Sequence, residues 1–286
     1  MVGYEFPVQY ACGDAVGAIR PALRTHCARE WERQDVSEAA KGSMNQTFQT
    51  KADARQRVWD ALDDQGFARP PFPAHGRIPN FEGADLAARK IFEAAPWREA
   101  RAIKVNPDSP QMHVRLHALT LGIRVYVPTP RLKGGFHLLD PERIPPSRYR
   151  QAATRSSMPE WSRPVALDEL SQLDAIVTGC VAVTPRGKRA GKGAGYSDIE
   201  YAILRELGHQ PVPVATTVHE VQIVDEFPID TIDLPLSLIC TPMRMLRVAS
   251  PLPAPVGIDW SRLTPEDIQA MPLLGDLNAL KEGSGQ

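Results

Sequence analysis

Residues 174–183 read DAIVTGCVAV, and residues 186–198 read RGKRAGKGAGYSD. The first stretch is an almost continuous apolar run, which predicts a strand buried on both faces of a sheet. The second stretch has glycines at positions 187, 191, 193 and 195 and runs into a predicted helix at residues 196–207. A buried strand, a glycine-rich loop and a helix, in this order, are typical of α/β proteins.

The alternation of strands and helices continues on both sides of the loop. Apolar periodicity predicts strands at residues 100–105, 123–127, 212–217 and 236–240, and helices at 51–65 and 111–121. Strands that alternate with helices indicate a mainly parallel sheet covered by helices on both faces. Because such sheets bind ligands beyond the carboxyl ends of their strands, we expect functional residues to follow the strands.

The two ends of the chain differ from its middle. Residues 1–48 predict an N-terminal extension with a helical stretch at 15–33, which Pro21 interrupts. Residues 248–286 contain many prolines and few periodic apolar positions, so we predict an irregular C-terminal tail that packs on the domain. The domain that contains the glycine-rich loop is therefore expected at residues 49–247.

Composition and charge argue against several classes of protein. The formal net charge of -1 gives no general attraction to nucleic acid or to an anionic membrane. The four cysteines are far apart and form no CxxC pair, which argues against a zinc site or a disulfide scaffold. No signal peptide and no stretch long enough to cross a bilayer is visible. We therefore expect a cytoplasmic protein, monomeric or homodimeric, that acts on a small molecule.

The glycine-rich loop predicts a phosphate-binding site. Its glycines allow positive φ angles and expose successive backbone N–H groups, and the following helix adds the positive end of its dipole. Arg189 and Lys192 add formal positive charge, and Asp198 in the first helical turn is a candidate ligand of Mg²⁺. The glycine spacing fits neither a Walker A motif nor a dinucleotide-binding fingerprint. From the spacing alone, a flexible hairpin tip is the alternative.

Several motifs together resemble those of the 5-formyltetrahydrofolate cyclo-ligase family. The pattern Arg-x-Gly-x-Gly-x-Gly-Tyr-x-Asp occupies residues 189–198 after a buried strand, as in the family's signature loop. The family begins its domain with a helix that carries Lys-x-x-x-Arg, and residues 51–55 read KADAR. Later family positions are matched in order by Gln222, Pro228, Asp233 and the strand end LICT at 238–241. GRIPNF at 76–81 and KVNPD at 104–108 resemble a divergent branch, proteins with a methenyltetrahydrofolate synthetase domain.

The resemblance implies a fold, two cofactors and a set of site residues. The fold would be a three-layer α/β/α, Rossmann-like domain that binds ATP together with Mg²⁺. The residues implied to contact the nucleotide are Lys51, Arg55, Arg189, Gly191, Lys192, Gly193, Ala194, Gly195 and Asp233. Asp198 would hold the metal, and the expected catalytic residues are Arg189, Lys192 and Tyr196.

The family's reaction converts 5-formyltetrahydrofolate to 5,10-methenyltetrahydrofolate. ATP phosphorylates the formyl oxygen, which makes that oxygen a good leaving group when N10 closes the ring. Basic residues, backbone N–H groups and Mg²⁺ suffice for this chemistry, because the protein positions the reactants and stabilises moving charge. Two alternatives stay open. One is the same ATP activation of another N-formyl or amide compound, and the other is a nucleotide- or folate-binding module without turnover.

The sequence departs from the family pattern at two positions of the loop. Ala194 stands where typical members often have Lys or Gly, and Ser197 where they have a second aromatic residue. The Met-x-Phe stretch that helps to form the folate pocket of typical members is not found. Asn106 and Asp108 follow a predicted strand on the ligand side of the sheet, but the Asn-Pro-Asp sequence also fits an ordinary turn.

Overall fold

The computed structural model describes residues 46–284, with side chains as far as residue 280. Within this range the strands are β1 (Ala68–Arg69), β2 (Asn80–Phe81), β3 (Ala102–Val105), β4 (Arg124–Pro128), β5 (Phe136–Leu139), β6 (Arg163–Val165), β7 (Ala175–Thr178), β8 (Ala182–Val183), β9 (Arg189–Ala190), β10 (Val214–Thr217), β11 (Leu238–Cys240) and β12 (Met245–Arg247). Eight of them form one sheet in the order β12-β11-β10-β7-β3-β4-β5-β6. The five strands from β11 to β4 in this order are mutually parallel, and β12, β5 and β6 extend the two edges antiparallel. The predicted α/β fold with a mainly parallel sheet is confirmed.

Helices cover both faces of this sheet. They are α1 (Lys51–Asp64), α2 (Ala84–Ile91), α3 (Met112–Thr120), α4 (Tyr149–Ala152), α5 (Met158–Trp161), α6 (Tyr196–Glu206), α7 (Pro265–Ala270) and α8 (Pro272–Ser284). The apolar residues of α2 and α3 pack on one face, and those of α6 and α8 pack on the other. The arrangement has the three layers that the resemblance implied, and the helices predicted at 51–65, 111–121 and 196–207 correspond to α1, α3 and α6.

The strand residues alternate between the two apolar cores, as the pleat of a sheet requires. In β3, Ile103 and Val105 belong to the core beneath α2 and α3, whereas Ala102 belongs to the core beneath α6. Lys104 follows the same alternation towards α6, although it carries a charge and is only 1% exposed. This inward lysine interrupts an otherwise apolar strand surface, and a buried charge of this kind requires a buried partner.

The predicted continuous strand at residues 174–183 is wrong in its second half. β7 ends at Thr178, and residues 179–181 separate it from β8, which lies outside the main sheet. A Cβ atom on Gly179 would lie 2.9 Å from Ile78 Cγ2 and 3.0 Å from Asp108 Oδ2, so only glycine lets the chain pass this close to its neighbours. The apolar run is therefore one buried sheet strand followed by a buried strand of a separate hairpin.

The predicted irregular tail at residues 248–286 is wrong for its second half. Residues 248–259 lack regular secondary structure, but α7 and α8 follow. Thr264 and Asp267 form a capping box at the start of α7, and Pro265 takes the first helical position. Two prolines of this half, Pro265 and Pro272, therefore begin helices instead of preventing them. Leucines of α8 then pack against the core on the α6 side of the sheet.

The predicted N-terminal extension at residues 1–48, with its helical stretch at 15–33, lies outside the described residues except for its last three positions. The described residues 46–284 form one compact unit. In the part of the chain that the structure describes, no helix combines the length and the apolar character needed to cross a membrane.

Candidate active site

A hairpin and a helix hold the start of the glycine-rich loop. β8 and β9 pair antiparallel, with Val183 opposite Arg189, so the loop predicted at 186–198 begins as a turn and a short strand. α1 packs on this hairpin, and its buried residues Val58 and Leu62 belong to the same apolar cluster. The helix begins where the Thr50 hydroxyl accepts the backbone N–H three residues on, at 3.1 Å. These contacts set the position of α1 relative to the loop.

Two cations on α1 face the loop. Lys51 and Arg55 are four residues apart, so they lie on the same side of the helix. Arg55 Nε donates a hydrogen bond of 2.6 Å to the carbonyl oxygen of Gly191. Lys51 Nζ forms an ion pair with Asp233. The Lys-x-x-x-Arg spacing thus places one cation against the loop and the other against a carboxylate beside it.

Arg189 is the buried cation at the centre of the site. It is 4% exposed, its Nε donates to the carbonyl oxygen of Leu234 at 3.0 Å, and its Nη2 donates to Asp198 Oδ1 at 2.5 Å. The same carboxylate oxygen accepts the backbone N–H of Leu234 at 2.8 Å. Burial alone would lower the pKa of Arg189, but the charge of Asp198 raises it, so the guanidinium stays protonated. Asp198, predicted as a metal ligand, is therefore also the counter-ion of Arg189.

Three glycines of the loop, Gly187 with a φ of 85° together with Gly193 and Gly195, adopt backbone angles that favour glycine. Gly193 has a φ of 107°, and Gly195, which precedes α6 as its N-cap, has a φ of 68°. A Cβ atom on Gly193 would point towards the guanidinium of Arg55, 3.6 Å from its Cζ atom. The backbone is therefore bare on the side that faces the α1 cations, and the positive end of the α6 dipole lies beside it.

A cavity of about 260 Å³, termed the first cavity, is bordered by α1, the loop, α6 and the C-terminal tail. One part of its wall is charged and glycine-rich, and the other part is apolar. Its lining residues are Lys51, Arg55, Arg189, Gly191, Gly193, Gly195, Asp198, Ile199, Ala202, Ile232, Asp233, Pro255, Gly257, Ile258, Asp259, Arg262 and Leu263. Seven of the nine residues implied to contact a nucleotide line this cavity, and so does the proposed metal ligand Asp198.

A smaller cavity of about 70 Å³, termed the second cavity, lies at the carboxyl ends of β3 and β7. Lys192, Ala194 and Tyr196 line this cavity and are absent from the lining of the first. Its other lining residues outside the shared wall are Ile78, Asn106, Pro107, Asp108, Thr129, Pro130, Arg131, Gly179, Ser197 and Glu200. Arg189, Gly191, Gly195 and Asp198 line both cavities, so the start of α6 and the glycine-rich loop form the wall between them.

A buried polar network, which the sequence analysis missed, forms part of the second cavity. Lys104 in β3 makes a buried ion pair with Glu200 in α6, and its Nζ donates to Asn106 Oδ1 at 3.1 Å. Asn106 Nδ2 donates to Glu200 Oε2 and to Ser197 Oγ, both at 3.2 Å. Because the Lys104 ammonium group can only donate, the Asn106 side chain turns its Oδ1 towards Lys104. Its Nδ2 then points to Glu200 and Ser197 and donates to both.

The three carboxyl groups of the second cavity differ in their partners. Asp198 and Glu200 each pair with a buried cation. Within residues 46–284, no side chain forms an ion pair or a hydrogen bond with the carboxylate of Asp108. Burial raises the pKa of Asp108, and nearby cations, first among them Lys192, oppose the rise. Burial likewise raises the pKa of Glu200 against the opposing charge of Lys104.

Arg115 hydrogen-bonds the backbone next to this cavity, and the sequence analysis did not identify it either. It is fully buried in α3, and it donates through Nη1 to the carbonyl oxygen of Asn106 at 2.5 Å and through Nε to that of Ala153 at 2.9 Å. Burial lowers the pKa of Arg115 to about 10, which leaves it charged near neutral pH. The sequence offered the same signal for Arg115 as for Lys104: a basic residue at a helix or strand position whose periodicity places it in the core.

The first cavity fits a polyphosphate, and its carboxylates fit a metal bound with that ligand. Glycine backbone, the α6 N-terminus and three cations converge on its charged part. Among the described residues, no three His, Cys, Asp or Glu side chains are grouped as a protein-only metal site would require. Mg²⁺ that accompanies phosphates commonly uses only one or two carboxylates, and both Asp198 and Asp233 line this cavity.

Comparison with known families gives an extended match. The profile described as the 5-formyltetrahydrofolate cyclo-ligase family matches residues 47–242. This range includes α1, the glycine-rich loop and two of the three carboxylates that line the first cavity, Asp198 and Asp233, but not Asp259. It ends before the C-terminal tail.

Individual relatives match over a large part of the chain. The methenyltetrahydrofolate synthase domain-containing protein of Bos taurus is 39% identical over 246 residues, which is 83% of this chain and 64% of that protein. The protein of the same name from Homo sapiens is 36% identical over 246 residues, 83% of this chain and 63% of that protein. This chain therefore spans less than two thirds of the length of these curated relatives.

More distant similarities are shorter or weaker. The 5-formyltetrahydrofolate cyclo-ligase of Escherichia coli strain K12 is 34% identical over 76 residues, 27% of this chain and 40% of that protein. The NMR structure of Aquifex aeolicus 5,10-methenyltetrahydrofolate synthetase has 13% sequence identity and a TM-score of 0.45, and the alignment covers 74% of this chain and 99% of that one.

Proposed function

The chain belongs to the 5-formyltetrahydrofolate cyclo-ligase family, and we propose that it is an ATP- and Mg²⁺-dependent cyclo-ligase that converts 5-formyltetrahydrofolate to 5,10-methenyltetrahydrofolate. The observation that carries this proposal is the wall shared by the two cavities. The first cavity has the charges for a polyphosphate, and the second opens on the other side of Arg189 and Asp198. A phosphoryl group bound at the residues that line both cavities would lie beside a compound bound in the second cavity.

The charged groups of the wall have defined tasks under this proposal. ATP supplies the phosphoryl group that turns a formyl oxygen into a leaving group. Arg189, Lys51 and Arg55 neutralise negative charge that shifts during the transfer, and they need no reorganisation because the protein already holds them. Lys192 and Tyr196 are proposed to contact the acceptor compound, since both line the second cavity.

Asp198 is proposed to act on the metal through the carboxylate oxygen that does not bind Arg189. Its Oδ1 accepts from Arg189 and from the backbone N–H of Leu234. Asp198→Asn should therefore lower Mg·ATP-dependent turnover strongly, and because it also removes the counter-ion of the buried Arg189, it should lower the free energy of unfolding as well. A titration of turnover against Mg²⁺ concentration checks this, and an unchanged Mg²⁺ requirement in the variant would remove the metal role.

The test of the proposed activity uses the whole chain with Mg·ATP and 5-formyltetrahydrofolate. Methenyl absorbance and phosphate release are followed together and are expected to rise in equal amounts. Arg189→Ala should lower the rates of both signals by a factor on the order of 10² or more. Arg186→Ala is the matched control, because Arg186 is the first residue of the same loop but pairs with Glu226 at the surface and lines neither cavity.

A second candidate is the same activation applied to another N-formyl or amide compound. The observation that favours it is that the Met-x-Phe stretch, which helps to form the folate pocket of typical family members, is not found in this chain. Phosphate release that depends on a different formyl or amide substrate, and not on 5-formyltetrahydrofolate, supports this candidate. Tight ATP binding without phosphate release for any substrate supports a binding module instead.

A further inference from the structure

The C-terminal tail contributes the apolar part of the first cavity. Pro255, Gly257, Ile258, Asp259, Arg262 and Leu263 line it, and all of them lie beyond residue 242, where the family match ends. Most charged residues of the same cavity come from α1, the loop, the start of α6 and the turn that carries Asp233, and the tail adds Asp259 and Arg262. The cavity is therefore built jointly by the family domain and by a segment outside it.

The tail is attached to this place by specific contacts. The backbone N–H of Ile258 donates to Glu206 Oε1 at 2.9 Å. Gly257 passes so close to the same carboxylate that a Cβ atom would lie 2.6 Å from Glu206 Oε1. Arg262 Nη1 donates to Asp230 Oδ2 at 2.7 Å, which ties the tail to the turn that carries Asp233. Position and backbone path of the segment are thus set by α6 and by that turn.

The two parts of the first cavity have opposite chemistry. Its charged part suits phosphate oxygens. Its other part is lined by Ile199, Ile258 and Leu263, with aliphatic surface that suits the faces of a planar ring, and the rim carries Asp259 and Arg262 as hydrogen-bonding groups. A nucleoside triphosphate has this same sequence of groups, from phosphates through a hydroxylated sugar to a flat, weakly polar base.

We propose that residues 255–263 form the subsite for the base and sugar of the nucleotide, while the glycine-rich loop binds its phosphates. The inference rests on the proposed function, because it concerns the same nucleotide. It assigns the tail a binding role that the sequence analysis did not give it. The tail would then decide how much tighter a nucleotide binds than a bare polyphosphate.

The experiment compares Mg·ATP with Mg-tripolyphosphate, which has the phosphates but no base or sugar, by calorimetry on the full chain. Ile258→Ala and Leu263→Ala should each weaken ATP binding by about tenfold, because each removes three aliphatic carbons from the contact. Binding of tripolyphosphate should stay unchanged in both variants. Arg189→Ala should weaken both ligands. Val256→Ala is the matched control, since Val256 lies between two lining residues but is 87% exposed and lines neither cavity.

The outcomes separate this inference from the proposed function. If the parent protein binds ATP and the tail variants bind it equally well, the base lies elsewhere and the inference fails alone. Equal weakening of ATP and tripolyphosphate would mean that the tail acts through the phosphate site or the fold, which also overturns it. A parent protein that binds neither ligand overturns the proposed function. Amide hydrogen exchange gives a second readout: residues 255–263 should be protected by ATP and not by tripolyphosphate.

Discussion

The two cavities on either side of the glycine-rich loop are built in different ways. The phosphate part of the first cavity comes from short stretches of chain, residues 51–55 and 189–198, whose side chains face it through local spacing. The second cavity is assembled from the ends of several strands, and its buried pair Lys104–Glu200 joins residues 96 positions apart. A site made of local motifs can be recognised in a sequence, whereas a site made of distant single residues requires the fold.

The cavities also differ in how their charges are compensated. In the first, the cations pair with carboxylates or carbonyls at its edge and still face the space that a ligand would occupy. In the second, Lys104 and Glu200 neutralise each other within the core, at 1% and 4% exposure. The first set should therefore act on a ligand, and the second should act mainly on stability and shape.

The largest effect is expected from breaking the buried pair. Lys104→Ala leaves Glu200 buried without a counter-ion and should lower the free energy of unfolding by about 3–5 kcal/mol, measured in urea. The double variant Lys104→Met with Glu200→Leu should recover most of that loss, because it removes both charges and restores apolar contact. ATP affinity of the double variant should equal that of the parent. If Lys104→Ala lowered the free energy of unfolding by less than about 1 kcal/mol, water would have to screen the pair.

The next effect concerns the cation of the shared wall. Arg189→Ala should lower kcat by a factor on the order of 10² or more, with a smaller change in ATP affinity, because the guanidinium stabilises charge that moves during phosphoryl transfer. Arg189→Lys keeps the charge but not the planar fork towards Asp198 and should recover only part of the rate. Steady-state kinetics check both variants. A change confined to KM for ATP would instead assign Arg189 to ground-state binding.

A smaller effect is expected from the loop backbone. Gly193→Val places a side chain at a φ of 107°, a conformation that costs about 1–3 kcal/mol. Because part of this strain opposes the loop conformation that binds phosphate, ATP binding should weaken by roughly tenfold. Gly76→Val is the matched control, because Gly76 has a φ of 74° and open space around it but lines neither cavity. Both variants should lose stability, and only the first should lose affinity in calorimetry. Equal affinities would exclude the loop from the site.

The smallest effects are pH-dependent, and they have opposite signs for two carboxyl groups. Burial raises the pKa of Asp108, so its stabilising contribution is complete below its ordinary pKa and is lost as pH rises through the raised value. Asp108→Asn should therefore gain stability relative to the parent as pH rises from about 4 towards neutral. The hydrogen bond from Arg262 lowers the pKa of Asp230 to about 2.

The contribution of Asp230 is therefore present above its ordinary pKa and is lost as pH falls towards 2. Asp230→Asn should be less stable than the parent at neutral pH and should approach it in acid. Urea unfolding of both variants from roughly pH 2 to pH 8 checks the two signs, because this range covers the lowered pKa of Asp230 and the ordinary pKa of both carboxyl groups. Parallel curves for parent and variant would contradict either assignment.

The sequence predicted the elements whose signals are local. α1, α3 and α6 were found from their periodicity, and the central strands from their apolar runs. The break at Gly179 was missed because its cause is the approach of Ile78 and Asp108, which are distant in the chain. The second half of the tail was missed because proline at a first helical position looks the same in sequence as proline in irregular chain.

At the candidate site, too, the sequence predicted the local motifs but not the arrangement that the fold gives them. The motif residues from Lys51 to Asp198 do meet at one loop, but their division between two cavities was not predicted. Lys192 and Ala194, expected at the nucleotide, line the second cavity. Which side of a loop a residue faces depends on φ angles such as that of Gly193, and composition does not specify these angles.

The hydrogen bonds that hold Arg189 have a consequence for the thermodynamics of binding. An arginine side chain loses up to about 2 kcal/mol of rotamer entropy when it is immobilised. Here Leu234 and Asp198 immobilise it when the protein folds, before any ligand arrives. A ligand that meets this guanidinium therefore orders no further rotamers, and the association entropy should be less unfavourable than for a mobile surface arginine.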